Sequence, residues 1–157
     1  MAEKKNRDIM QTSFASIHSE ALLKEAFEMI EKNLEGPPHS PGLVVLDKAG
    51  KPAGQLTVDD FMKELNRLYL EACDKPGGRD WGDRFFNQCE IAGVERVSGI
   101  MSARGITVGV DDNFDSSCEL MLSKNLHLLP VVDQSSKVVG IVTRRMVLDE
   151  LSPKMFK

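Results

Sequence analysis

The sequence predicts an α+β chain built from two copies of one β-α-β-β-α unit. Three observations carry that expectation: an internal repeat, a helical apolar stripe in each copy, and two short apolar runs joined by a turn behind each stripe. Leu43–Leu65, LVVLDKAGKPAGQLTVDDFMKEL, aligns without a gap on Leu129–Leu151, LPVVDQSSKVVGIVTRRMVLDEL, at an offset of 86 residues. Eight of the 23 pairs are identical: Leu43/Leu129, Val45/Val131, Asp47/Asp133, Lys51/Lys137, Gly54/Gly140, Thr57/Thr143, Glu64/Glu150 and Leu65/Leu151. Ordinary composition would give about one or two. Upstream, MIEKNL from Met29 matches MLSKNL from Met121, and Ile9-Met10 mirrors Ile100-Met101.

Each copy repeats one plan. Ala21, Leu22, Ala26, Met29 and Ile30 fall on a 3.6-residue stripe, as do Cys118, Met121 and Leu122, so a helix is expected at both places. Ser116 with Glu119 has the spacing of a capping box that would open the second of these. A short apolar run follows (LVVL; PVVD), then a turn at Asp47–Gly50 or Asp133–Ser136, then a strand ending at Leu56 or Val142. The last helix carries Phe61, Met62, Leu65, Leu68 and Tyr69 in the first copy, and Val147, Leu148 and Leu151 in the second. The copies span about residues 8–70 and 96–152. Residues 71–95 connect them, with a breaker cluster at Asp74–Gly78 and an aromatic helical stripe, Trp81, Phe85 and Phe86, expected to pack on the module.

Composition narrows the function classes. A chain of 157 residues with 41% hydrophobic residues can bury a core without disulfides. The 20 Lys+Arg against 24 Asp+Glu, a net charge of -4, argue against a nucleic-acid polymer as partner. The longest apolar runs, Leu43–Leu46 and Leu128–Val132, are too short to cross a bilayer, and MAEKKNRDIM carries no apolar secretory segment behind it. Cys73, Cys89 and Cys118 form no C-x-x-C pair, and His18, His39 and His127 have no metal-ligand spacing, so no structural metal or disulfide is expected. A cytoplasmic protein with a reduced, buried set of cysteines is the expectation. G-x-S-x-G, P-loop, H-E-x-x-H and G-x-G-x-x-G patterns are absent, so no catalytic residues are assigned. The pairs Asp59-Asp60 and Asp111-Asp112 read as acids at helix starts.

The apolar strand, turn, strand and G-h-x-T-x-x-D leading into a helix resemble the CBS domain, named after cystathionine β-synthase. LHLLPVVDQSSKVVGIVTRRMVLDEL resembles that motif along its whole length, and two repeats in tandem resemble a stand-alone Bateman module. The resemblance implies two units packed through their sheets with pseudo-twofold symmetry, two clefts between them, dimerisation, and an adenosine-containing ligand: AMP, ADP or ATP, with S-adenosylmethionine also open.

The residues suggest how a ligand would be held. Thr57 sits where strand gives way to helix, so its hydroxyl and the nearby free N–H groups make an anion site. Asp60, one turn on, is placed to accept from both ribose hydroxyls. Gly54 allows close backbone approach, and Leu43 and Val45 are candidates to sandwich a flat base. Leu129, Val131 and Thr143 occupy the same positions in the second copy. There the aspartate is replaced by Met146, which cannot accept those hydrogen bonds, so one competent and one degenerate cleft are expected. His127 stands where the family often carries a phosphate-contacting base. Pro41 takes that place in the first copy, with His39 nearby, and Arg144 and Arg145 could add positive charge. The function expected is a non-enzymatic regulator that senses an adenosine nucleotide as a homodimer and signals to an unidentified protein. The alternative is a ligand-free dimeric scaffold acting by constitutive protein–protein contact.

Overall fold

The structure is a computed structural model that describes residues 4–36, 40–73 and 81–155. The Asp74–Gly78 cluster and His39 lie outside the described residues. A short helix α1 (Asn6–Ile9) precedes the first repeat, which runs β1 (Ala15–His18), α2 (Leu23–Glu35), β2 (Gly42–Leu46), β3 (Pro52–Thr57) and α3 (Val58–Ala72). Helix α4 (Trp81–Ala92) and a 3-10 turn (Val97–Gly99) lead to the second: β4 (Val108–Gly109), α5 (Phe114–Lys124), β5 (Leu128–Val132), β6 (Val138–Thr143) and α6 (Arg144–Met155). Both copies have the expected β-α-β-β-α order. In each three-stranded sheet the first strand pairs parallel with the second, and the second antiparallel with the third.

The duplicated hairpins close by the same chemistry. Asp47 Oδ1 accepts from the N–H groups of Ala49 and Lys51, and Asp133 Oδ1 from those of Ser135 and Lys137. The left-handed residue of the turn is Gly50 in one copy and Ser136 in the other.

Strand alternation assigns the faces. Leu43, Val45 and Leu56 enter a core under α2 and α3, and Leu129, Val131 and Val142 enter its counterpart in the second copy. The opposite faces supply Val44, Leu128, Val138 and Ile141 to a third cluster, which joins the two sheets back to back.

The segments ahead of β1 and β4 are exchanged, so residues 8–11 and 96–102, counted by sequence with the first and second copies, each pack on the other copy. Lys4–Gln11 lies on the second repeat: Phe114 N–H donates to the Lys4 carbonyl at 2.8 Å, and Gln11 and Ile141 exchange two backbone bonds of 2.9 Å. Glu95–Ser102 lies on the first: Leu23 N–H donates to Glu95 at 2.8 Å, and Gln55 and Ser102 exchange backbone bonds of 2.9 and 2.8 Å. This exchange brings Ser102 to the first repeat's last helix.

Some boundaries differ from expectation for local reasons. Helix α5 starts at Phe114 behind Asn113, so Ser116 lies in its first turn and its N–H donates to the Asn113 carbonyl and the Asp115 carboxylate. Asp111 and Asp112 precede that helix: Arg7 pairs with Asp111, and Asp112 accepts from Gly109 N–H. Helix α4 packs along α3 through an aromatic cluster, with Tyr69 5.0 Å edge-on from Trp81 and Trp81 5.6 Å from Phe85. That position gives Trp81 a packing role. No helix among the described residues is long and apolar enough to cross a membrane.

Candidate functional site

The site is built where β3 runs into α3. Thr57 is the N-cap, in extended conformation, and Asp60 is the third residue of the helix. Thr57 N–H donates to Asp60 Oδ2 at 2.8 Å and the Thr57 hydroxyl donates to the same oxygen at 3.1 Å, while Asp60 N–H donates back to the Thr57 hydroxyl at 3.3 Å. The Ser102 hydroxyl, delivered by the exchanged segment, adds a third donor to Oδ2 at 2.9 Å. Asp60 is only 7% exposed. All of its partners converge on one oxygen, and Oδ1 accepts from no described residue. A carboxylate has about four lone-pair sites, so this one is fixed on one side and open on the other.

Asp60 opens into a cleft of about 410 Å³ between the repeats, within the size range of small-molecule sites. Gln55 lies on the same side of β3 as Thr57, Ala103 and Ile106 give apolar wall, and Lys63, Lys124 and His127 bring three basic side chains. His127 Nε2 is 4.0 Å from an Asp59 carboxylate oxygen. Burial, and then the nearby Arg144 guanidinium, hold the imidazole below its ordinary value near 6.5, against the opposing pull of Asp59 and Asp60. His127 is therefore a neutral donor or acceptor at pH 7 that an anion would drive toward its charged form. Among the described residues no group of three or more His, Cys, Asp or Glu side chains is placed to hold a metal. Burial also raises the Cys89 and Cys118 thiols above their ordinary value, so both stay protonated at neutral pH.

Thr57, Asp60 and His127 thus meet in one cleft, and the other candidates do not join them there. The Thr57 hydroxyl has one proton, already given to Asp60, so the side chain positions the carboxylate and has no donor left for a phosphate. Leu43, Val45, Leu129 and Val131 are fully buried in the two cores and have no surface to offer a base. Gly54 is close to backbone, but its neighbour is the chain itself: a Cβ there would stand 2.8 Å from the Ser102 carbonyl oxygen. Thr143 is buried and its hydroxyl accepts from Met146 N–H at 3.4 Å, a cap without an acid. Met146 packs into the core of the second repeat. Arg144 is held by the C-terminus of α5, donating to the Leu126 carbonyl at 2.8 Å and to Asn125 Oδ1 at 2.9 Å. Arg145 pairs with Asp149 on the solvent face.

Sequence reasoning missed Ser102, Gln55, Lys63 and Lys124. Ser102 directly follows the mirrored Ile100-Met101, and Gln55 is a polar residue where the second copy has Ile141. Lys63 lies one turn beyond Asp60, and Lys124 closes α5 beside the cleft.

The comparisons agree with this architecture. The sequence model of the CBS domain matches residues 7–67 and 97–153. Protein MJ1426 of Methanocaldococcus jannaschii is 26% identical over 157 aligned residues, covering 92% of this chain and 89% of that protein. MJ1225 of the same organism is 29% identical over 104, covering 63% of this chain and 32% of that protein, so the chain spans about a third of its length. Among solved structures, CBSX2 in complex with AMP superposes with a TM-score of 0.66 at 18% identity, over 99% of this chain and 100% of that one. The CBS domain pair of MJ0100, in complex with 5-methylthioadenosine and S-adenosyl-L-methionine, superposes with a TM-score of 0.68 at 23% identity, over 96% and 98% of the two chains.

Proposed function

The chain belongs to the CBS domain family, and on that premise we propose that it is a non-catalytic regulatory module binding one adenosine nucleotide per chain in the Asp60 cleft. The observation that carries the proposal is the half-satisfied carboxylate: three donors fix Oδ2, and Oδ1 is left to the cleft. A ribose presents two adjacent hydroxyls, and charge-assisted hydrogen bonds to a fixed carboxylate are short and strong. Lys124 and Lys63, the latter paired with Asp59 at 3.5 Å, offer positive charge to a phosphate, His127 offers a neutral imidazole that the anion would draw toward its charged form, and the N-terminus of α3 adds its dipole. Structural neighbours hold AMP, 5-methylthioadenosine and S-adenosyl-L-methionine, which supports adenosine as the shared element. In the second repeat Met146 leaves no equivalent acceptor, hence one nucleotide.

Signalling follows from placement. The cleft is lined by β3 and α3 of one repeat, the end of α5 from the other, and Ser102 of the exchanged segment. A nucleotide touching all of these favours one arrangement of the repeats, and the population shifts toward it. A homodimer would present that change to a partner: Phe27, Met62, Leu122 and Leu148 are exposed apolar residues on α2, α3, α5 and α6. Thermal unfolding with AMP, ADP, ATP and S-adenosylmethionine tests the ligand class. At about a hundred times its dissociation constant a ligand adds about 2.7 kcal/mol, a rise of about 5–10 °C for this chain length. No rise with any of the four at millimolar concentration would leave the constitutive scaffold as the function.

A further inference from the structure

Gln55 is the anomaly of β3. It is 2% exposed, in a strand where the corresponding residue of the second repeat, Ile141, is fully buried among Val44, Leu128 and Val138. A carboxamide at a buried strand position is costly unless its polar atoms are matched by protein or by what fills the space beside them. The described residues match only its nitrogen, and the oxygen is left to the cleft. Gln55 Nε2 donates to the Leu128 carbonyl of the second repeat at 2.9 Å, which also settles the orientation of the amide, since the flipped form would set two acceptors against each other. Oε1 accepts from no described residue, and the side chain lines the Asp60 cleft.

We propose that Gln55 is the specificity residue of this cleft, its Oε1 accepting a hydrogen bond from the exocyclic amino group of a 6-aminopurine. The inference rests on the nucleoside reading of the cleft and adds to it the selection of the base. The order of groups supports the assignment. Residues two apart in a strand share a face, so Gln55 sits one step back along β3 from Thr57 and its partner Asp60, while Lys63 lies a turn further along α3 in the other direction. A nucleotide whose ribose is at Asp60 and whose phosphate meets Lys63 and Lys124 therefore directs its base toward Gln55, with Ala103 and Ile106 as apolar neighbours. A 6-amino group donates to Oε1. A 6-oxo group sets an acceptor against a fixed acceptor, and a purine with hydrogen at that position makes no bond.

The test is a binding series of AMP, purine riboside monophosphate and IMP, measured by calorimetry on the wild-type protein and on Gln55→Met. The wild type is expected to bind AMP about tenfold more tightly than purine riboside monophosphate, the worth of one buried hydrogen bond, and IMP more weakly still. In Gln55→Met the three should fall within about twofold of one another, with discrimination against 2′-deoxy-AMP retained because Asp60 is untouched. If Gln55 served only as a structural bridge between repeats, the substitution would lower stability and leave the AMP to IMP ratio unchanged, and that result would overturn the proposal. Equal affinity of the wild type for AMP and IMP would overturn it without any variant, leaving the Asp60 reading standing. Failure of the wild type to bind all three would overturn both.

Discussion

Asp60 carries two jobs that substitution can separate. In Asp60→Ala the capping box is lost and three donors, the buried N–H and hydroxyl of Thr57 and the half-buried Ser102 hydroxyl, lose their common acceptor. A hydrogen bond to a charged group contributes about 1.5–3 kcal/mol, and an unmatched buried donor costs about 1–3 kcal/mol. Partial rescue by solvent in the opened cleft sets the expected loss at about 2–4 kcal/mol. At about 2–4 °C per kcal/mol for this length, the melting temperature should fall by about 5–15 °C. Asp60→Asn keeps an oxygen for the cap but turns the cleft-facing atom into an amide donor or a neutral acceptor, so it should lose less stability. Both variants should lose nucleotide binding by about a hundredfold, the worth of two charge-assisted bonds to ribose. Differential scanning calorimetry with and without AMP reads both effects in one experiment. An Asp60→Asn protein that melts near the wild type and still rises fully with AMP would refute the ribose assignment and leave Asp60 as a helix cap alone.

Other residues give independent outcomes. Because burial lowers the His127 pKa in the folded protein, the unfolded chain takes up this proton first as pH falls. The stabilisation is thus present above about pH 6.5 and lost as pH drops through the window beneath it, and urea titrations should find a weaker acid dependence in His127→Gln. Gly54→Ala forces a methyl against the Ser102 carbonyl and should cost about 1–3 kcal/mol, whereas Gly82→Ala, with open space at its Cβ in α4, should stabilise by about 0.5–1 kcal/mol. Thermal melts of the two variants check both signs. Arg144→Ala should lower stability by about 1–2 kcal/mol through its lost bonds to Asn125 and Leu126, and change AMP affinity by less than about threefold in calorimetric titration, since the side chain is committed to the end of α5.

The repeat made the fold legible. An ungapped alignment of strand, turn, strand and helix fixes local structure because period-two and period-3.6 apolar patterns are physical constraints on each element. Asp60 and His127 became candidates through the resemblance to the CBS motif and not through the repeat, which sets Met146 against the first and Pro41 against the second. What local sequence does not carry is which face of a strand meets which layer. Leu43 and Val45 are apolar residues in a strand beside the motif, and only the stacking of sheet on helix shows that they point into a core and away from the cleft. Ser102 was hidden by chain exchange, since it lies 42 residues from Asp60 and hydrogen-bonds across to the first repeat. Arg144 shows the converse: a basic residue next to a motif threonine, drawn away by unsatisfied carbonyls at a helix end.

A calorimetric titration of AMP into the purified protein, beside the same titration of Asp60→Asn, tests the single-site reading most directly. The expected result is saturation at one nucleotide per chain, with binding lost in the variant. Saturation at two per chain, or an isotherm unchanged by Asp60→Asn, would contradict it, because either requires a nucleoside site that the half-open carboxylate of Asp60 does not build.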